Sequence, residues 1–168
     1  MFTENKSDNG DEVAALKYGA DAGAVISQNS WGYTNVYSMP EVTKDAIEYF
    51  IKYAGTDENG EQVGPMKGGI VIFAAGNEER DYMSYPACYE TYRTNGRYSD
   101  ECAVYSTLPG DKYGYMQGTS MACPHVSGIA ALAVAKYGGP GFTPDRLRTY
   151  LERGVHEVDS YNPEYKGR

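Results

Sequence analysis

Gly69-Ile70-Val71-Ile72-Phe73-Ala74-Ala75-Gly76-Asn77 contains an apolar run of strand length with none of the polar alternation of a half-solvated sheet face. A run of that kind reads as a central parallel strand covered on both faces. Upstream of it, Gly55 to Gly69 is glycine-rich and polar and reads as a loop. Before the loop, Pro40 suits a first helical residue, and Val42, Ala46, Ile47, Phe50 and Tyr53 continue at helical spacing. Ala24 to Asn29 reads as a second short buried strand, ending in Ser30-Trp31-Gly32-Tyr33. Asp11 to Ala22 reads as a helix carrying Val13, Leu16, Tyr18 and alanines, with acids in its first turn and Gly23 at its close. Downstream, Ser120 to Tyr137 is apolar or small nearly all round, which predicts a mostly buried helix. Thr143-Pro144-Asp145 opens a last helix that runs to about Arg153.

Helices alternating with strands define an α/β domain, with a parallel sheet flanked by helices. In such sheets binding residues gather beyond the carboxyl ends of the strands. Ser30-Trp31-Gly32 and Gly76-Asn77 both occupy such ends, so two strand ends and one helix start face a common cleft.

The 168 residues suffice for one domain, and no internal repeat or linker divides them. Hydrophobic residues make up 41%, which suits a packed chain rather than a disordered one. The net charge of −8 comes without any Lys/Arg cluster, which argues against a nucleic-acid partner. No apolar run reaches membrane-spanning length, and the polar N-terminus is not a signal peptide. Cys88, Cys102 and Cys123 lack metal-site spacing and are odd in number, so no disulfide framework follows. Cys123 and His125, two apart on a helix, point to different sides and make no metal pair.

Gly118-Thr119-Ser120-Met121-Ala122-Cys123-Pro124-His125-Val126-Ser127-Gly128 places a serine at the mouth of the small-residue helix. The N–H groups there have no partners inside the helix and carry partial positive charge, which suits a nucleophile whose attack makes an oxyanion. Asn77, after a flexible glycine at a strand end, offers an amide that donates without titrating. Pro124 removes one internal hydrogen bond and crowds the Ser120 carbonyl, loosening the helix mouth.

The Gly118 to Gly128 stretch resembles the nucleophile motif of the subtilisin-like serine proteases. Ala75-Gly76-Asn77-Glu78 resembles the oxyanion-asparagine motif of the same family, and the correspondence runs from about Asp11 to Arg153. The resemblance implies a partial subtilisin-like fold with its N-terminal strands missing, residues 1–168 forming part of a peptidase S8 catalytic domain. It implies that Ser120 is the nucleophile and Asn77 the oxyanion donor. Ser27 to Gly32 resembles the strand on one side of the family's primary specificity pocket and Ser84-Tyr85-Pro86-Ala87 the loop on the other, which implies substrate binding by Ser30, Trp31, Gly32, Ala75, Gly76, Ser84 and Tyr85. It implies peptide or protein substrates, and secretion or a cell-envelope location. No cofactor is identifiable. Family members often bind calcium, but no such site transfers to these residues.

A serine of this kind needs a histidine base and a carboxylate that orients it. The family carries them in an Asp-(Ser/Thr)-Gly strand end and a His-Gly-Thr-His helix start, neither of which stands in this sequence. Asp8-Asn9-Gly10 imitates the first without a buried strand before it. His125 sits about 140° around the helix from Ser120 and reads as a packed helix residue, and His156 has no motif around it. The interval from Asn77 to Ser120 is shorter than is usual in the family, with polar Thr91 to Glu101 showing no strand pattern. The missing N-terminal half of the domain is therefore the expected partner, and the chain alone is expected to be inactive. The alternative is a non-catalytic peptide-binding remnant. An esterase is a third reading, and it lacks the Gly-x-Ser-x-Gly elbow.

Overall fold

The computed structural model describes residues 11–33, 38–77, 92–94 and 103–154. Helix α1 spans Asp11–Asp21 and stops where Gly23 takes φ +89°, a conformation that favours glycine. Strand β1 is Ile26–Asn29, two residues shorter than the apolar pattern suggests. Val25 lies just before it, buried, its carbonyl accepting from the Ile70 N–H at 3.0 Å. Helix α2 spans Glu41–Tyr53, with Pro40 just outside as its N-cap rather than as the first helical residue.

Strand β2, Ile70–Ala74, is buried along its whole length, as its composition predicts. It pairs in parallel with β1, from Ile26 opposite Ile70 to Asn29 opposite Phe73. On its other edge it pairs in parallel with β3, Tyr92–Thr94. That strand corrects the reading of residues 91–101 as devoid of strand structure. Its pairing comes from β2's exposed ladder and not from any apolar pattern of its own. Strands β4 (Val104–Leu108) and β5 (Lys112–Met116) form an antiparallel hairpin that delivers the chain to α3, a feature the sequence pattern did not reveal.

Alternate side chains of β2 face two separate cores. Val71 and Phe73 pack with Leu16, Ala20, Ala46, Ile47 and Phe50 of α1 and α2. Ile70, Ile72 and Ala74 pack with Cys123, Ala130 and Val134 of α3 (Thr119–Tyr137) and Leu147 of α4 (Pro144–Arg153). The sheet thus lies between two helical layers. Helix α4 starts where expected, with the Thr143 hydroxyl accepting from the Arg146 N–H at 3.4 Å.

Three further readings need correction. Helix α3 is buried on one stripe only, through Thr119, Cys123, Ser127, Ala130 and Val134, while Ile129 and Leu132 are 57% and 72% exposed. The uniform small-residue composition hid that sidedness. On α2, Val42 and Tyr53 are exposed and Thr43 is buried in their place. His125 is exposed rather than packed, its Nδ1 lying 2.7 Å from the Met121 carbonyl of its own helix. Among the described residues no helix is long and apolar enough to cross a membrane.

Leu147 of α4 is fully buried in the core it shares with α3 and β2, whereas Leu132 of α3 is exposed. Leu147→Ala should cost about 2–5 kcal/mol, and Leu132→Ala should stay within about 0.5 kcal/mol. Urea unfolding of the two variants measures the contrast.

Candidate active site

The parallel strands β1 and β2 end side by side, and α3 begins at the same edge of the sheet. Gly118 caps α3 with φ +134°, and glycine contributes no side chain to satisfy the first helical N–H groups. Asn77, just beyond β2, does so instead. Its Oδ1 accepts from the Thr119 N–H at 3.0 Å and from the Thr119 hydroxyl at 2.9 Å. A backbone N–H can only donate, so the oxygen end of the carboxamide must face Thr119. The amide NH2 is the donor end. It packs against Gly118, where a Cβ would come within 3.4 Å of Asn77 Nδ2.

Thr119 closes a second link. Its hydroxyl accepts from the Gly76 N–H at 3.2 Å, fixing the backbone just before Asn77. Gly76 itself has φ +98°, which turns the chain out of β2 towards the helix mouth. Thr119 escaped notice in the sequence because the motif is centred on its neighbour Ser120. A threonine beside a glycine N-cap was the available signal.

Ser120 follows in the first turn and is half-buried. The first helical hydrogen bonds run from Met121 and Ala122 to the Gly118 carbonyl, at 3.0 and 3.3 Å. The Ser120 N–H precedes them, among the groups that helix geometry leaves without an internal acceptor. The Ser120 hydroxyl donates weakly to the Ser30 carbonyl at 3.4 Å, and the Ser30 hydroxyl donates to the Ser120 carbonyl at 2.7 Å. The short interval between Asn77 and Ser120 therefore still brings them to one helix mouth.

Trp31 is half-buried and sits edge-on to Phe73, ring centroids 5.2 Å apart. Its indole N–H donates to Asn29 Oδ1 at 3.1 Å, and Asn29 Nδ2 donates to the Ser27 hydroxyl at 2.9 Å. These bonds account for the buried asparagine. Gly32 is exposed and Ala75 half-buried at the ends of their strands. Tyr33 anchors the β1 end to both outer helices, donating to Glu12 and accepting from Thr43, each at 3.0 Å. Burial is the main reason its phenol is pushed above the usual tyrosine range. Ser84, Tyr85 and His156 lie outside the described residues. Among the described residues no cluster of three His, Cys, Asp or Glu side chains is placed to hold a metal.

Residues 91–164 match the subtilase family model. The chain is 30% identical to a thermophilic serine proteinase of Bacillus sp. (strain AK1), over 93% of this chain and 38% of that protein. It is 28% identical to thermitase of Thermoactinomyces vulgaris, over 85% of this chain and 50% of that one. Among solved structures it resembles sphericase, with a TM-score of 0.62 at 21% identity, over 85% of this chain and 54% of that chain. These matches support a subtilase fragment, and the chain spans about half the length of these relatives or less.

Thr119→Val keeps the shape of the buried side chain but leaves the Gly76 N–H without its acceptor and removes one donor from Asn77. The variant should lose about 1–3 kcal/mol in urea unfolding, while Thr119→Ser, which keeps the hydroxyl, should lose less.

Proposed function

We propose that this chain supplies the nucleophile and the oxyanion-binding groups of a serine endopeptidase. Ser120 Oγ attacks the scissile carbonyl carbon, and the bond to the leaving amine breaks as an acyl-enzyme forms. The Ser120 N–H and the Asn77 amide NH2 hold the oxygen that takes the negative charge. The observation that carries this reading is the Asn77 carboxamide, locked by its oxygen to Thr119 so that its donor end lies at the mouth of α3.

Peptide substrate would run extended past the end of β1, adding main-chain hydrogen bonds at Ser30 to Gly32. Ala75 and Gly76 would form the floor beside it, with Ser84 and Tyr85 on the far side. Secretion or a cell-envelope setting belongs to the same proposal. Calcium has no assigned role in it.

The base and its orienting carboxylate would come from residues outside this chain. His125 is turned onto its own helix and cannot serve Ser120. The rest of the domain is the proposed partner, and two features support a place for it. Strand β1 pairs on one edge with β2, and among the described residues nothing pairs with its other edge. Along that open edge runs a groove of about 720 Å³, lined by Leu16 and Tyr18 of α1, Ser27 to Trp31, and Pro124 of α3. A strand laid there would be covered by α1 on one face and α3 on the other. The exposed Ile129 and Leu132 would also find apolar cover.

Two experiments test the proposal. The coding sequence upstream should carry, in frame, an Asp-(Ser/Thr)-Gly and then a His-Gly-Thr-His. A stop codon directly before Met1 would favour a peptide-binding remnant instead. Expressed with that upstream sequence, the protein should cleave a chromogenic peptide, and Ser120→Ala should lower turnover on the order of 10⁶-fold, a magnitude carried over from subtilisin. Residues 1–168 by themselves should show only background cleavage. Rapid, Ser120-dependent hydrolysis by that polypeptide alone would contradict the assignment of the base to other residues.

A further inference from the structure

Pro124 lies inside α3 and has no N–H, so the carbonyl four residues before it, that of Ser120, lacks its regular helical donor. A carbonyl at the helix mouth without a partner would cost stability and leave the first turn free to shift. The Ser30 hydroxyl, arriving from the end of β1, donates to that oxygen at 2.7 Å. The direction of this bond is fixed. Gln28 Nε2 donates to Ser30 Oγ at 2.6 Å, so the single hydroxyl proton of Ser30 is left for the Ser120 carbonyl, which can only accept. Gln28 is held in turn over α3 by a long contact to Cys123 Sγ at 3.7 Å. The Cys123 thiol reaches back to the carbonyls of Asn29 and Ile72 at 3.5 and 3.4 Å. The exchange is reciprocal, because the Ser120 hydroxyl donates to the Ser30 carbonyl at 3.4 Å.

We propose that Ser30 is a positioning residue, whose hydroxyl replaces the hydrogen bond that Pro124 withholds and so fixes the Ser120 backbone against the end of β1. The short bond to the carbonyl sets where the Ser120 N–H and Cβ lie. The long bond from the Ser120 hydroxyl is weak enough to yield when a base approaches. Proline at residue 124 and serine at residue 30 therefore form one device. The proline frees an acceptor, and the neighbouring strand, rather than the helix itself, fills it. Only the description of Ser120 as nucleophile rests on the proposed function. The clasp itself does not.

The test is a double-mutant cycle between Ser30→Ala and Pro124→Ala, measured by urea unfolding. It is joined to the carbon-13 shift of the Ser120 carbonyl in chain labelled at serine. Ser30→Ala should reduce the folding equilibrium constant about three- to tenfold and move the Ser120 carbonyl signal upfield. Pro124→Ala restores an N–H at residue 124. In that background Ser30→Ala should have little effect on either reading, and Ser30→Thr should keep the native signal in the parent chain. Equal losses from Ser30→Ala in both backgrounds, or an unmoved Ser120 carbonyl signal, would overturn the proposal. If Ser30→Ala alone does not fold, rescue by the added Pro124→Ala supports the clasp and failure of rescue refutes it. Repeating the cycle with Ser120→Ala, read on the carbonyl at residue 120 by alanine labelling, separates the two proposals. The coupling survives there whether or not the hydroxyl is a nucleophile.

Discussion

A glycine N-cap leaves α3 with no side chain of its own to meet its first N–H group. The acceptor comes from another element, the Asn77 carboxamide at the end of β2. This hydrogen bond does two things at once. It satisfies a helix terminus that would otherwise stay unpaired, and it fixes which end of the carboxamide is turned outward as a donor. The second follows from the first, because an N–H can be met only by the oxygen. Helix start and candidate oxyanion site are therefore one construction.

Around that bond the rest of the fold can be understood as support. Strand β2 carries Asn77 to the helix mouth because its apolar side chains are claimed by cores on both faces. Strand β1 runs beside it in parallel register, so Ser30 arrives next to Ser120. Helix α3 is pinned to the sheet through Cys123, Ala130 and Val134, which keeps its first turn over the strand ends. Trp31 braces the end of β1 from the opposite core by its edge-on contact with Phe73. Its ring is in part a core residue.

Much of this was legible in the residues, for physical reasons that differ by element. The run Ile70 to Ala74 could be read because a strand buried on both faces has to be apolar throughout. That Ser120 opens a helix and Asn77 follows a strand could be read because each is a polar residue at the end of an apolar run. The inner stripe of α3 could not be read, since alanine, glycine, serine and methionine surround the helix with little contrast between its sides. Tyr92–Thr94 could not be read either, because a three-residue strand takes its structure from its neighbour's hydrogen-bonding edge. The burial of Thr43 was hidden for a related reason, its hydroxyl being satisfied by Tyr33, a residue distant in any local pattern. The Ser30 contact required knowing that β1 ends beside α3, which no spacing along the chain discloses.

The central claim is that Asn77 acts on the same reacting centre as Ser120, and not merely as a cap for α3. The most direct measurement is the steady-state kinetics of Asn77→Ala in the chain expressed with the proposed rest of the domain, with the variant confirmed as folded. A donor used only in the transition state predicts that kcat falls about 10²–10³-fold, as in subtilisin, while KM stays nearly unchanged. An unaltered kcat, or a loss confined to KM, would contradict the claim and reduce Asn77 to a helix cap.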